Sequence, residues 1–258
     1  MSSREQLRRR ASTVKRLVAR GLRRVRYGSL RYVVVVTYGR TGSTLLQGVL
    51  MTDPQVMIRG EQGGTIAYLM RWYTELCGHQ DRLRPDRHET SRRHPFYGIG
   101  AFPRDIALQR LRRLLLDTLL RPRHDTRVVG FKEIGWPEEL AECLDFLRAV
   151  LPGVRFVVNT RNLDDVVRSG FWRRQPDAAA RVQALHERIM SATAGRDDVY
   201  FLSYDEWVSD PGQLRGLFEW LGLHFDRDRV DAVMRQPHSY DNRSIPGLES
   251  ESSVVAPD

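Results

Sequence analysis

Residues 32–50, YVVVVTYGRTGSTLLQGVL, constrain the fold of this chain more than any other stretch. Tyr32-Val33-Val34-Val35-Val36-Thr37 is a β-branched run without polar alternation, the pattern of a strand buried on both faces of a parallel sheet. Tyr38 to Thr44 then supplies two glycines, an arginine and the hydroxyls of Thr41, Ser43 and Thr44, and from Leu45 the apolar residues resume at helical spacing. Strand, tight loop and helix in that order aim backbone N–H groups and the positive end of a helix dipole at one point. Such a point binds a phosphate or a sulfate.

The loop departs from the Walker A pattern, because G-x-x-x-x-G-K-[ST] is absent and the cation, Arg40, precedes the second glycine, Gly42. No apolar run ends in the Asp that would hold a magnesium ion opposite it, so metal-dependent NTP hydrolysis lacks a part. An anion loop without a metal partner suits a donor whose reacting group carries less charge, such as a sulfuryl group. A second β-rich run, Arg155 to Thr160, is followed by Arg161 and, eight positions on, by Ser169. If a helix follows the strand, two turns return the Ser169 hydroxyl to the side of the Arg161 guanidinium, where both can reach one phosphate; a surface arginine and an ordinary helix serine are the plain alternative for either residue alone.

Thr37-Tyr38-Gly39-Arg40-Thr41-Gly42-Ser43-Thr44 resembles the 5′-phosphosulfate loop of sulfotransferases that use 3′-phosphoadenosine 5′-phosphosulfate (PAPS), and Arg161 with Ser169 resembles their 3′-phosphate motif. The resemblance runs over residues 32–235 and is nearest to the bacterial and the tyrosylprotein or carbohydrate types. It implies an α/β fold of the P-loop-like sulfotransferase kind, a mostly parallel central sheet with helices on both faces. It also implies PAPS as donor, 3′,5′-bisphosphoadenosine as product and no metal. Carried over by position, Arg40, Thr41, Gly42, Ser43 and Thr44 would hold the phosphosulfate, and Arg161 and Ser169 the 3′-phosphate. Tyr204, in Tyr204-Asp205-Glu206-Trp207-Val208-Ser209-Asp210-Pro211, would lie against the adenine, with a buried core tyrosine as the competing reading.

The same resemblance gives Glu61, 21 positions after Arg40 in Gly60-Glu61-Gln62-Gly63-Gly64, the role of general base toward the acceptor hydroxyl. A solvated loop carboxylate is the plain alternative. Lys132 and Glu133 end a third β-rich run, Arg127 to Phe131. Lys132 is expected to contact the acceptor or the sulfuryl group, Glu133 is the second candidate for the base, and a surface role for the two is the alternative.

The 258 residues, 41% hydrophobic and 28% charged, suffice for one sizeable α/β core. Cys77 and Cys143, far apart, make neither a disulfide framework nor a structural zinc site. The formal charge of +9 is concentrated in residues 1–31, where 11 Lys and Arg face one acid and give +10; the remaining 227 residues, with 30 bases and 31 acids, carry −1. Basicity is therefore a property of the tail, and nucleic-acid binding by the main domain is not required. Leu7, Ala11, Val14, Val18, Leu22 and Val25 make residues 4–26 a basic amphipathic helix, which could dock on an anionic lipid surface, attract an acidic partner or pack on the domain.

The expected organisation is this helix (1–30), a sulfotransferase domain (31–235) with an Arg-, His- and Pro-rich acceptor loop at 78–103, and an irregular tail (236–258). Helices are expected at 65–77, 103–120, 137–150, 163–173, 178–193 and 214–223. Arg84, Arg87, Arg92 and Arg93 could meet the acceptor, and Ser239 or Arg243 could reach the 3′-phosphate. The function expected is sulfuryl transfer to a hydroxyl of a carbohydrate, glycolipid or other small acceptor, in a cytoplasmic or membrane-peripheral bacterial enzyme. Two other readings stay open at this level. One is a variant P-loop kinase, and the other is a non-catalytic nucleotide-fold module that binds anionic membrane or nucleic acid through its basic helix.

Overall fold

The computed structural model describes residues 29–83 and 91–236. The basic helix expected at 4–26, Arg84 and Arg87 of the acceptor loop, and Ser239 and Arg243 lie outside the described residues. In chain order the domain runs β1 (Arg31–Val36), α1 (Ser43–Leu50), β2 (Val56–Arg59), α2 (Ile66–Leu83), α3 (Arg104–Leu114), β3 (Val128–Glu133), α4 (Leu140–Val150), β4 (Arg155–Thr160), α5 (Leu163–Val167), α6 (Ala178–Thr193), β5 (Val199–Ser203), α7 (Tyr204–Ser209), α8 (Leu214–Leu221) and α9 (Arg227–Met234).

The five strands form one sheet in the order β2-β3-β1-β4-β5, and every pairing is parallel. The valine run suits β1 to the central position, since Val34 and Val36 face one core and Val33 and Val35 the other. Each of Val34, Val35 and Val36 is fully buried, worth roughly 1.5–3 kcal/mol apiece. On the first face lie α2, α3, α4 and α6, through residues such as Met70, Leu111, Leu144, Leu147, Val182 and Ile189. The second face is covered by α1, α7, α8 and α9, through Leu46, Val49, Trp207, Leu217, Phe218 and Val230. Among the described residues no helix is long and apolar enough to cross a membrane.

Three expectations are corrected, and one helix was not expected. Helix α2 continues to Leu83, past the expected end at residue 77, and the described part of the acceptor loop packs back along it, since Gln80 Nε2 donates to the carbonyls of Gly100 (2.7 Å) and Phe102 (3.0 Å). The helix expected at 103–120 is α-helical only to Leu114 and then widens into a π-turn, Leu115–Leu120, which turns Leu115, Leu116 and Leu120 into the core together. The helix expected at 163–173 stops at Val167, because Arg168 closes it and Gly170 takes φ +58°. Ser169 therefore sits in a turn and not on a helix. Helix α9, unforeseen, starts at an Asp226 side chain that accepts from the Arg229 amide and buries only Val230.

The carboxyl ends of β1 and β4 lie side by side, and the chain leaves β1 toward β2 on one side while β4 leads to β5 on the other. That is the switch point at which open parallel sheets bind ligands.

Candidate active site

The loop after β1 is held by its carbonyls. Trp172 Nε1 donates to Gly39 O (3.2 Å), Arg161 Nη1 to Arg40 O (3.2 Å) and Asn159 Nδ2 to Thr41 O (2.7 Å). In a trans peptide the carbonyl and the next N–H point in opposite directions, so these three bonds turn the amides of Arg40, Thr41 and Gly42 to the other side. Arg40 and Gly42 both adopt φ +75°, and left-handed residues of this kind curl successive amides into a concave anion nest. For Arg40, which is not glycine, the conformation costs roughly 1–2 kcal/mol. The amides of Ser43, Thr44 and Leu45 open α1 and have no partner within it, and no side chain caps this end.

Beneath the loop, Thr37 donates its hydroxyl proton to Asn159 O (2.6 Å) and accepts from the Thr41 hydroxyl (2.6 Å). Asn159 Oδ1 accepts from Trp207 Nε1 at 3.0 Å, which completes a fully buried polar network. The Tyr38 hydroxyl donates to Arg161 O (3.3 Å), and burial pushes its pKa up to about 12. It thus stays protonated and donating at ordinary pH.

Arg161 continues from β4 into the wall of the same cleft. Its guanidinium lies 4.8 Å from the centre of the Tyr204 ring, and that ring presses on Gly42 so closely that a Cβ there would come within 2.2 Å of it. Among the described residues Arg161 Nε is buried with no hydrogen-bond partner, and an Asp205 carboxylate oxygen is 4.0 Å away. Ser169 Oγ accepts from Arg40 Nε at 3.2 Å. Arg40 thus links the other two, its carbonyl to Arg161 and its side chain to Ser169. The residues assigned to the two phosphate groups from sequence are joined by contacts into one cluster, although the Arg40 side chain lies at the Ser169 end of it. Tyr204 begins α7 half-buried, its ring against Arg161, Gly42 and Trp207, and not in the closed core.

Glu61 and Lys132 meet as an ion pair, with the lysine side chain 5% and the glutamate side chain 43% exposed. Alternation along β3 sends Lys132 and Glu133 to opposite faces. A surface role for either is overturned, since the residues are only 4% and 1% exposed. The Glu133 carboxylate is fully engaged: Oε1 accepts from the amides of Ile134 and Gly135 (both 2.8 Å), and Oε2 from those of Gln62 (2.9 Å) and Gly64 (3.1 Å). It has no oxygen left for an acceptor hydroxyl. Of the two acids considered as base, Glu61 is the one whose carboxylate reaches solvent.

Sequence reasoning missed Asn159, Trp172 and Trp207, which fix the loop from behind. A single amide side chain in the otherwise apolar run Phe156-Val157-Val158-Asn159 was a readable signal; the tryptophans, distant in sequence, gave none. An open hollow of about 410 Å³ lined by Gln80, Phe102, Arg104 and Ile106 lies by the far end of α2. At 1.5 Å per residue, Gln80 is about 20 Å along the helix from the Glu61 loop, outside the reacting centre.

The sequence profile of the sulfotransferase family matches residues 33–227. Among solved structures the chain is similar to the sulfotransferase domain from the Synechococcus PCC 7002 olefin synthase, with a TM-score of 0.51 and 17% identity over 82% of this chain and 78% of that one. It is also similar to the sulfotransferase domain from the curacin biosynthetic pathway (TM-score 0.48, 15% identity, 82% and 79% covered). A third is the sulfotransferase STF1 from Mycobacterium tuberculosis H37Rv (0.44, 18%, 82% and 72%). At such identities the likeness concerns the fold. A search of curated proteins found no match.

Proposed function

Given that the chain belongs to the sulfotransferase family, we propose that it moves a sulfuryl group from PAPS to a hydroxyl of a carbohydrate, glycolipid or other small acceptor. The observation that carries this reading is the buried, unpartnered Nε of Arg161 beside a loop whose amides are turned outward and whose helix is uncapped. Two unsatisfied cationic features in one cleft fit a ligand with a phosphate at one end and a phosphosulfate at the other.

Bound there, PAPS would supply an activated sulfuryl group on a good leaving phosphate. The amides of Thr41, Gly42, Ser43 and Thr44 would hold the phosphosulfate, preorganised so that no reorientation is needed as charge builds. Arg161 and Ser169 would hold the 3′-phosphate and thereby distinguish PAPS from ATP, and the Tyr204 ring offers a flat surface to the adenine. Glu61 takes the acceptor proton at its exposed carboxylate oxygen. Lys132 is near enough to Glu61 to offset negative charge on the transferring group, and Arg40, on exchanging its bond to Ser169 for the phosphosulfate, would do the same on the leaving side. Acceptors larger than a monosaccharide would run along α2 toward residues 91–103. Peripheral membrane contact through residues 4–26 is part of the same proposal.

A thermal-shift titration tests the donor. 3′,5′-Bisphosphoadenosine should raise the melting temperature by several degrees, as a ligand at 100 times its Kd adds about 2.7 kcal/mol of stability. ATP and ADP should do so much less. Preference for ATP would overturn the reading in favour of a kinase.

A further inference from the structure

Glu133 touches neither the cleft mouth nor solvent, yet it joins the two segments on which proton transfer depends. Its carboxylate binds four backbone amides, two in the turn that follows β3 (Ile134, Gly135) and two in the loop that follows β2 (Gln62, Gly64). No salt bridge to it occurs among the described residues, so a fully buried carboxylate is compensated by peptide dipoles alone. Gln62 is the residue after Glu61. The loop itself is unusual backbone, with Gly63 at φ +62° and Gly64 at φ +70°, and a Cβ on Gly64 would come within 2.7 Å of Gly135 O. Such a segment has little reason to keep one shape by itself.

We propose that Glu133 is a positioning residue that clamps the 61–64 loop onto the end of β3, so that Glu61 stands against Lys132 at the reacting centre. This rests on Glu61 being the base of the reaction proposed above. The chemistry of the clamp requires a carboxylate. Both oxygens must accept, twice each, and a glutamine would turn an NH₂ group toward two N–H donors. The β3 main chain adds to the junction, because Glu133 O accepts from Thr37 N (3.3 Å) and from Trp136 Nε1 (3.0 Å), and these bonds survive a change of side chain. Substitution at Glu133 is therefore expected to loosen the Glu61 loop and leave the donor loop in place.

The chain offers a direct readout, for only two of its 41 Lys and Arg residues are lysines, Lys15 and Lys132. Lysine labelled with ¹³C at Cε gives two side-chain signals, and Lys15→Arg identifies the one from Lys132. Glu61→Gln should shift that signal by removing its carboxylate partner. Glu133→Gln should shift it in the same direction, and the double variant should match Glu61→Gln alone, while the melting response to 3′,5′-bisphosphoadenosine stays at the wild-type value. A Lys132 signal unchanged by Glu133→Gln, with donor binding intact, overturns the clamp and leaves the sulfotransferase reading standing. Absence of any bisphosphoadenosine response in the wild type overturns that reading and with it the catalytic purpose of the clamp. Should Glu133→Gln fail to fold, Glu133→Asp keeps the charge, retracts both oxygens by one methylene and is read by the same signal.

Discussion

Arg40 and Arg161 share a contact but are held differently, and their substitutions should separate. Arg161 stacks on Tyr204, bonds Arg40 O and keeps a buried donor in reserve, so its guanidinium is part of the wall of the cleft. Arg40 is exposed, and among the described residues its side chain makes one hydrogen bond, to Ser169. Arg161→Ala should weaken 3′,5′-bisphosphoadenosine binding by about 10- to 100-fold, the worth of one or two charge-assisted hydrogen bonds. Arg40→Ala should lower turnover more than it lowers donor affinity. Equal effects of the two on calorimetric Kd and on kcat would count against the division of roles. At this scale the sequence nominated Arg40, Arg161, Ser169 and Glu61 by motif, and Glu133 shows the limit of that method. Its type and its neighbour Lys132 suggested chemistry, and only the four amides around it reveal that its oxygens are already committed.

Among the elements, the turn into α1 depends most on one residue. Gly42 precedes the helix in the left-handed region and also makes room for the Tyr204 ring, two requirements that a side chain violates together. Gly42→Ala should cost at least the roughly 1–2 kcal/mol of a left-handed alanine and, by pushing the ring outward, abolish the bisphosphoadenosine response. A folded variant with an unimpaired response would show that the nest does not hold the donor. The central strands were legible in sequence because burial on both faces writes itself as uninterrupted valine and phenylalanine. Helix ends were less legible. Nothing local stops α2 at residue 77, and α5 ends early because Ser169 and Gly170 must bend the chain toward Arg40.

For the whole molecule, charge and catalysis are expected to separate along the chain. Residues 1–27 hold ten of the bases, and the described cleft draws on none of them. Protein lacking residues 1–27 should keep its bisphosphoadenosine response and lose salt-sensitive binding to anionic vesicles. Loss of the nucleotide response on truncation would favour the binding-module reading. The sequence by itself determined the parallel α/β sheet and nominated the two candidate anion motifs, since the first rests on the two-sided burial of a strand and the second on a resemblance carried by the spacing of an arginine from a glycine or a serine. Tertiary structure alone decided which side each carbonyl of the loop faces, that Arg40 bridges Arg161 and Ser169, and that the Glu133 carboxylate accepts from amides of two loops. Those facts depend on hydrogen bonds between residues some 70 to 130 positions apart, such as Gln62 to Glu133 and Arg40 to Ser169. No local pattern encodes such a partner, because a donor or acceptor is chosen by what folding brings within 3 Å of it.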